Sequence, residues 1–507
     1  MNRRMIFYMV GNIILLEAIL LMLPLLVSFG YHEMNCVNAF SITIIIAVIV
    51  GVVFRRVFNP KKNKVIYARE GFIIVTFAWI FLSLLGCLPF IISGEIPDFF
   101  DAFFETVSGL TTTGASILRD VESMSCGLLF WRSFTHWLGG MGVLVLIMAI
   151  LPSGSGRAIH ILRAEMAGPV IGKITPKIKD TAKILYFIYL VITVAETVFL
   201  LAGGMPLFDS VVHALGTAGT GGFGIKGDSI ASYSPYLQWV ITIFMLLFGV
   251  NFNLYYLVVR GQAGLALKST ELRCYLLIWL SATVIIVINL VSHLDLGLGV
   301  AIRQAAFQTS SILTTTGYGT TDFNLWPQLS KTVLIILMFI GGCAGSTGGG
   351  LKVSRVMMLF ADIKRELRHL LHPRSVDIIK FEGKRLDNSV LHSVNSYFSL
   401  YVVLLMGMIL LLAFDSSDFE TDVTAVIACF NNIGPGFGAV GPAANYADYS
   451  WFSKVVLSAG MLLGRLEIYP ILIALTPSTW TSRNITTLRD RARQKAKRIY
   501  HKHHREE

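Results

Sequence analysis

Ten segments of this 507-residue chain are apolar over lengths that can cross a lipid bilayer. A membrane-spanning helix requires about 20 mostly apolar residues. The segments lie near 5–29, 38–54, 71–92, 127–151, 184–204, 234–259, 274–294, 331–362, 389–414 and 450–476. Hydrophobic residues make up 54% of the chain and charged residues 14%, whereas soluble proteins carry about 25% charged residues. The sequence therefore predicts an all-α polytopic membrane protein and excludes a soluble enzyme, a disordered chain and a disulfide scaffold.

Lysines and arginines are concentrated in alternate loops. When the N-terminus is placed in the cytoplasm, 33 of the 42 lysines and arginines fall on the cytoplasmic side. They comprise Arg3 and Arg4 and the basic residues of 55–70, 152–183, 260–273, 363–388 and 483–507. Cytoplasmic loops of membrane proteins are rich in Lys and Arg, so we expect ten spans with both termini in the cytoplasm. Topology thus explains the net charge of +11, and nucleic acid is not expected as a partner.

Four loops on the opposite side share one pattern. Each contains an apolar stretch that is too short to cross the membrane, followed by a strip rich in glycine and small residues. The strips occupy 110–116, 216–224, 313–322 and 431–438. The pattern predicts an internal repeat of span, half-helix, strip and span. The predicted units are two extra N-terminal helices at 1–66, repeats at 67–155, 178–262, 270–362 and 385–480, and a basic cytoplasmic tail at 481–507.

The four strips together predict a cation pathway. Irregular backbone at membrane depth is tolerated where it lines a cavity, and glycine reaches backbone angles that other residues avoid. Strips around one axis can present rings of carbonyl oxygens that replace the hydration shell of a cation. The half-helices would point their partly negative C-termini at the same centre. We therefore expect two N-terminal helices and four membrane–pore-helix–membrane repeats around a pseudo-fourfold pore.

Two glycine patterns, at 219–224 and 436–441, match the dinucleotide-binding fingerprint. Neither lies in a βαβ unit, which is the context that gives this motif its function. The sequence also contains no visible nucleophile–base pair or metal-ligand set. We therefore expect neither an enzyme nor a cofactor bound to this chain.

Several motifs resemble the Trk/Ktr/HKT superfamily of potassium transporters. They are the strips TTTGAS, GTGGF, TTTGYG and NNIGPG, and the segments THWLGGMGVLVL (135–146), GGCAGSTGGGLKVSR (341–355) and GRLEIYP (464–470). The two additional N-terminal spans favour the TrkH-like branch. The resemblance covers nearly the whole chain and implies potassium uptake across a bacterial inner membrane. A sodium-permeable channel or transporter of the same fold is the alternative, and the coupling of flux to protons or sodium stays open.

The resemblance also implies which residues bind potassium, the transported ion. The family's filter carries one glycine per strip, and the aligned residues are Gly114, Gly221, Gly317 and Gly434. A serine at the first position is associated with sodium-permeable members, so four glycines imply potassium selectivity. The neighbouring carbonyl ligands would belong to Thr112, Thr113, Gly219, Thr220, Thr315, Thr316, Asn432 and Ile433.

Six glycines between 341 and 350 interrupt the eighth apolar segment. A helix through them would lose up to about 1 kcal/mol per glycine relative to alanine, so we expect the helix to break. The resemblance implies an intramembrane gating loop here and a blocking cation in the last span. The gate residues would be Gly345, Gly348, Gly349, Gly350, Lys352 and Arg465. The alternatives are a packing kink at the loop and a structural acid partner for Arg465.

Other charges lie inside the apolar segments. They are Glu17, Arg132 and Glu196, and we expect them to be structural. The partners follow from the resemblance, which implies a homodimer and a cytosolic ring of TrkA-like subunits that bind NAD, ATP or ADP. The basic segments 157–183, 364–385 and 483–498 offer complementary charge for docking this ring. The alternative is that these charges only set the topology.

Overall fold

The computed structural model describes residues 2–60, 68–142, 178–374, 378–415 and 418–480. The predicted basic tail at 481–507 and residues 152–177 of the predicted basic loop 152–183 lie outside these ranges.

Two apolar helical segments precede the repeats. The first consists of α1 (Arg3–Leu20) and α2 (Met22–Gly30), and the second is α3 (Met34–Val57). The second segment is longer than the predicted 38–54. Gly11 allows α1 and α3 to pack closely, because a Cβ atom on Gly11 would lie 2.8 Å from the Cβ atom of Phe54. Small residues at helix contacts are typical of membrane proteins.

Each repeat begins with a long apolar helix. These helices are α4 (Ala68–Gly86) with its continuation α5 (Leu88–Ser93), α8 (Ile178–Ala202), α13 (Thr270–Leu294) and α17 (Asn388–Leu412). Their length and composition are those of membrane spans, which confirms the predictions at 71–92, 184–204, 274–294 and 389–414. Large apolar side chains such as Phe187, Leu277 and Leu410 are exposed on them, as expected for helices that face lipid.

A short helix follows each first helix. The four are α6 (Phe99–Leu110), α9 (Leu207–Gly219), α14 (Leu298–Leu313) and α18 (Phe419–Phe430). They contain between 12 and 16 residues. At a rise of 1.5 Å per residue, none is long enough to cross a hydrocarbon core of about 30 Å. They are the half-helices expected from the sequence.

The second helices of the repeats are less regular. They are α7 (Cys126–Gly140), α10 (Pro235–Phe248) followed by α11 (Phe252–Val259), α15 (Gln328–Ile340) followed by α16 (Val353–Leu371), and α19 (Trp451–Arg465) followed by α20 (Tyr469–Leu475). The α10–α11 pair bends by 92° and the α19–α20 pair by 118°. The break expected at 341–350 is confirmed, since α15 ends before it and α16 begins after it.

The predicted spans at 234–259 and 450–476 are each broken into two helices, and the local backbone shows where each bend arises. The Asn251 side chain accepts a hydrogen bond of 3.0 Å from the N–H group of Asn253 and so starts α11 as a new helix. Glu467 and Ile468 have left-handed φ angles of 54° and 64°, which a right-handed helix cannot include.

The remaining regular elements are short. They are α12 (Ala263–Ala266), the 3₁₀ turns Phe323–Leu325 and Gly438–Val440, the antiparallel strands β1 (Lys380–Phe381) and β2 (Lys384–Arg385), and α21 (Pro477–Trp480). The chain is therefore an all-α polytopic membrane protein with two leading apolar segments and four copies of one helix–half-helix–strip–helix unit.

Candidate ion pathway

All four half-helices end in the same backbone motif. A left-handed residue lies at the end of each half-helix, with φ values of 57° at Thr112, 54° at Thr220, 59° at Thr315 and 56° at Asn432. The N–H group of the next residue donates to the carbonyl oxygen five positions earlier: Thr113 to Ser108 (2.9 Å), Gly221 to Gly216 (2.9 Å), Thr316 to Ser311 (2.8 Å) and Ile433 to Ala428 (2.8 Å). This is the Schellman motif, and its repetition aligns the four strips residue by residue.

Three of the left-handed residues are threonines. A positive φ is a genuine outlier for a β-branched residue, and glycine or asparagine is the usual choice at this position of the motif. Each such residue costs on the order of 1–3 kcal/mol and persists only where the surrounding structure holds it. Strain of this kind is concentrated at functional sites, so the strip conformation has a role beyond ending a helix.

A glycine lies two positions after each of these left-handed residues. The four have positive φ values of 79° at Gly114, 78° at Gly222, 88° at Gly317 and 97° at Gly434. A Cβ atom on each would collide with a carbonyl oxygen of the next strip: Gly114 with Gly221, Gly222 with Thr316, Gly317 with Ile433 and Gly434 with Thr113. The same contact thus passes from strip to strip and returns to the first. We call these four residues the glycine ring.

The second strip enters the ring one residue later than the sequence alignment predicted. Gly222, and not Gly221, matches the other three glycines in φ angle and in its contact with the next strip. Gly219 is the last residue of α9. A Cβ atom on Gly219 or Gly221 would collide with His136, so these glycines are required by packing against α7. Sequence spacing alone cannot distinguish a glycine that is required by packing against α7 from one that belongs to the glycine ring.

The carbonyl groups of the strips are unusual in their hydrogen bonding. Twelve residues form the aligned strips: 112–114, 220–222, 315–317 and 432–434. Among the described parts of the chain, only one of their carbonyl oxygens has a hydrogen-bond donor, and it belongs to Gly434. Most of the twelve residues are buried, and buried carbonyl groups in proteins are almost always paired. Eleven strip carbonyl groups therefore have no hydrogen-bond donor among the described residues.

An open cavity of about 750 Å³ meets the strips on the side of the glycine ring. All four ring glycines line this cavity, which we call the glycine-side cavity. On the other side of the strips lies a cavity of about 780 Å³, lined by Asn432, by Gly345 to Gly350 in part, and by Lys352 and Arg465. We call it the loop-side cavity. The strips thus lie between two cavities.

Comparison with known proteins gives the family. The model of the TrkH family, described as cation transport proteins, matches residues 34–482. The potassium uptake protein TrkH of Salmonella typhimurium is 38% identical over 95% of this chain and 100% of its own length. TrkI of Halomonas elongata is 31% identical over 92% of this chain and 94% of its own length. The crystal structure of the potassium transporter TrkH from Vibrio parahaemolyticus matches with a TM-score of 0.85 and 35% identity, over 95% of this chain and all of that one.

This chain belongs to the TrkH family. The alignment over almost all of both chains assigns the fold expected from the repeats, including the two leading segments. In this TrkH-family chain, side chains from neighbouring helices hold the strips, and the loop between α15 and α16 lies against two of them.

Two side chains of α7 brace the second strip of this TrkH-family chain. The Nδ1 atom of His136 lies 2.8 Å from the carbonyl oxygen of Gly109 in the first half-helix, and its Nε2 atom accepts from the N–H group of Phe223 at 3.3 Å. This pairing requires the neutral ring with its proton on Nδ1. One turn away, Arg132 forms a buried ion pair of 2.8 Å with Glu105 and donates to the carbonyl of Gly224 at 3.3 Å. Arg132 is thus structural, as expected.

The loop between α15 and α16 lies directly against the third and fourth strips. The N–H group of Gly349 donates to the hydroxyl oxygen of Thr315 at 2.6 Å, and that of Gly350 donates to the carbonyl of Asn431 at 3.1 Å. A Cβ atom on Gly348 would lie 2.9 Å from the carbonyl oxygen of Thr314. Glycines therefore let this loop lie against the third and fourth strips.

Arg465 links the loop to another repeat. Its guanidinium group donates to the carbonyls of Thr347 in the loop (2.8 Å) and of Gly140 (2.7 Å) and Gly139 at the end of α7. Glu467 is not its partner, because that carboxylate pairs with Arg355 at 2.7 Å. Hydrogen bonds to a charged group contribute about 1.5–3 kcal/mol each, so Arg465 holds the loop firmly beside the pathway.

Lys352 ends the loop, as the sequence indicated. It is buried, has a left-handed φ of 76°, and donates from its ammonium group to the carbonyl oxygen of Gly348. This contact folds the end of the loop back on its own glycines. Lys352 and Arg465 also line the loop-side cavity together with Gly345, Gly348, Gly349 and Gly350, so the structure brings the predicted gate residues to one place.

Sequence reasoning missed several residues around the strips. The sequence patterns assign no role to His136, although its spacing of four residues from Arg132 puts both on one helix face. Lys454 forms an ion pair of 2.5 Å with Asp101 at the start of the first half-helix, and Tyr446 bonds to the fourth strip. No local pattern indicates these two contacts: the first joins the fourth repeat to the first, and the second joins Tyr446 to Gly434, 12 residues earlier in the same repeat. Glu17 and Glu196 are buried, and their structural role stays a prediction.

Proposed function

We propose that this chain takes up potassium through a pore whose selectivity filter is formed by the four strips. The filter ligands are the carbonyl groups of residues 112–114, 220–222, 315–317 and 432–434. The observation that carries the proposal is the closed glycine ring with eleven strip carbonyls that no described residue pairs. Rings of carbonyl oxygens replace the hydration shell of a cation. The relatives named as potassium uptake proteins support the same ion.

A sodium-permeable pore of the same fold is the weaker candidate. Glycine occupies all four ring positions, and the similar proteins from Salmonella typhimurium and Escherichia coli are named for potassium uptake. At about 2.3 kcal/mol per charge for each 100 mV, a negative potential inside the cell is sufficient to drive potassium entry.

The gate in this proposal consists of Gly345, Gly348, Gly349, Gly350, Lys352 and Arg465. Two contacts support it: Gly349 bonds to Thr315 in the third strip, and Arg465 bonds to Thr347 in the loop. A positive charge held beside the path repels a cation, and a loop pressed against the strips obstructs it. Opening requires the loop and Arg465 to separate.

The setting of the proposal is a bacterial inner membrane, with both termini in the cytoplasm and the repeats bounded as at 67–155, 178–262, 270–362 and 385–480. The chain acts as a homodimer, and a cytosolic TrkA-like ring that binds nucleotide controls the gate. The exposed basic residues of α16 and of the β1–β2 hairpin support docking on the cytoplasmic side; among them are Lys364, Arg368 and Lys384.

The test is ion flux in proteoliposomes that contain only this chain. We expect potassium and rubidium to enter much faster than sodium and lithium, and protein-free vesicles set the background. Sodium flux equal to potassium flux would refute the potassium filter. Adding the cognate ring protein should make flux depend on ATP, ADP or NADH, and failure to co-purify together with indifference to nucleotide would refute the regulatory part alone.

A further inference from the structure

One member of the glycine ring uses its carbonyl group differently. The hydroxyl group of Tyr446 donates a hydrogen bond of 2.7 Å to the carbonyl oxygen of Gly434. The carbonyl groups of Gly114, Gly222 and Gly317 accept none from the described residues. All four ring glycines line the glycine-side cavity, but Gly434 is buried whereas the other three are half-buried. The ring is therefore symmetric in backbone shape but asymmetric in the use of its oxygens.

The environment of Tyr446 holds its hydroxyl group in place. The residue is 2% exposed, and its N–H group donates to the carbonyl of Ser116, beyond the first strip, at 2.8 Å. Its ring packs against Phe104 of the first half-helix and against Tyr449, with centroid distances of 5.5 and 6.0 Å. The hydroxyl group cannot leave Gly434 without displacing these aromatic rings, so the bond is a fixed part of the filter wall.

We propose that Tyr446 determines how strongly the glycine ring binds potassium, an inference that rests on the filter proposed above. The hydroxyl group and the ion compete for the negative charge of one carbonyl oxygen. The ring then offers three full ligands and one shared ligand. Conduction requires binding that is strong enough for entry and weak enough for release, and the shared ligand weakens binding at one ring without altering the backbone.

The experiment compares Tyr446→Phe with Tyr449→Phe in the full chain. The second variant is the matched control, because Tyr449 donates its hydroxyl proton to Asp422 at 2.9 Å and does not touch a strip carbonyl. Two quantities are measured: the KM of potassium uptake into proteoliposomes, and the potassium concentration that gives half of the ligand-induced rise in melting temperature. We expect Tyr446→Phe to lower both by roughly two- to tenfold, the range that one hydrogen bond supports, while Tyr449→Phe changes neither.

A gain in affinity separates this role from a structural one, because a damaged filter would bind potassium more weakly. A folded Tyr446→Phe protein with unchanged or higher half-saturation would overturn the inference. If that variant does not fold, a ring-fluorinated tyrosine at position 446 keeps the bond and makes the hydroxyl a stronger donor. It should raise the half-saturating potassium concentration, and a fall or no change would equally overturn the inference. A parent protein that shows no potassium dependence would instead refute the proposed function.

Discussion

The four strips and the four second helices are copies of the same repeat, yet they have diverged to different degrees. Every strip has a left-handed residue, the same back-bond to the half-helix and a glycine with positive φ. The second helices differ, since one pair bends by 92°, another by 118° and the third is split by the glycine-rich loop. In the proposed pore all four strips must reach one ion, whereas a single obstruction is enough to close the path. The repeats have therefore stayed alike in the strips, where all four meet at one site, and have diverged in the second helices.

The largest effect should come from breaking the ring itself. Gly222→Ala puts a Cβ atom at a positive φ and against the carbonyl oxygen of Thr316. Strain of about 1–3 kcal/mol, with the displacement of a second strip added, should reduce potassium uptake at least tenfold, since each 1.4 kcal/mol is a factor of ten. Uptake into proteoliposomes at equal protein content is the measurement.

Gly221 supplies the control that tests how the second strip aligns with the other three. Gly221→Ala should also reduce uptake, but its Cβ atom would meet the imidazole ring of His136. The double variant Gly221→Ala/His136→Ala should therefore recover part of the activity, and Gly222→Ala/His136→Ala should not. Equal recovery of the two double variants would contradict the alignment of the four strips.

Arg465→Ala tests the second helices and the glycine-rich loop, which differ among the repeats. This change removes a charge and its hydrogen bonds to the carbonyls of Thr347, Gly139 and Gly140. With about 1.5–3 kcal/mol lost for each bond to a charged group, basal potassium flux without any cytosolic partner should rise roughly tenfold or more. Arg365→Ala is the control, because Arg365 lies on α16 and pairs with Asp362 at 2.7 Å. The gate proposal fails if folded Arg465→Ala protein conducts no faster than the parent.

The smallest effect concerns the contact between the two regions. Thr315→Val removes the hydroxyl oxygen that accepts from the N–H group of Gly349 at 2.6 Å. One such bond contributes about 0.5–1.5 kcal/mol, so basal flux should rise roughly two- to tenfold, and Thr315→Ser should keep the parent value. Thr112→Val is the matched change in the first strip, where the hydroxyl group has no partner among the described residues. The same rise in both valine variants would show that the loop contact is not the cause.

The regular region was largely predictable from sequence, and the reason is repetition. Four strips after four short apolar stretches indicate half-helices around one axis, and the family resemblance then aligned residues 112–114, 315–317 and 432–434. The second strip was misaligned by one position because Gly219, Gly221 and Gly222 look alike in sequence. Only the structure shows that the first two face His136 and that the third faces the next strip.

The irregular region was predictable only in part. Six glycines between 341 and 350 lower helix propensity enough to forecast a break. The bend at Asn251 has only an asparagine N-cap as its local signal. The bend at Glu467 to Ile468 has none of this kind, and a tertiary contact holds it in place, since the Glu467 carboxylate is fixed by Arg355 from another repeat. Contacts such as those of Arg465 and Tyr446 join residues more than ten positions apart, and local patterns do not encode them.

The glycine ring is built by a single polypeptide, and this has a genetic consequence. In an assembly of identical subunits, one codon change alters every side of the axis at once. Here a change at Gly434 or Tyr446 alters one side of the ring and leaves the other three intact, so mutation can change each of the four sides separately. A lineage with this architecture can explore intermediate selectivities that a homotetramer reaches only by mixing different subunits.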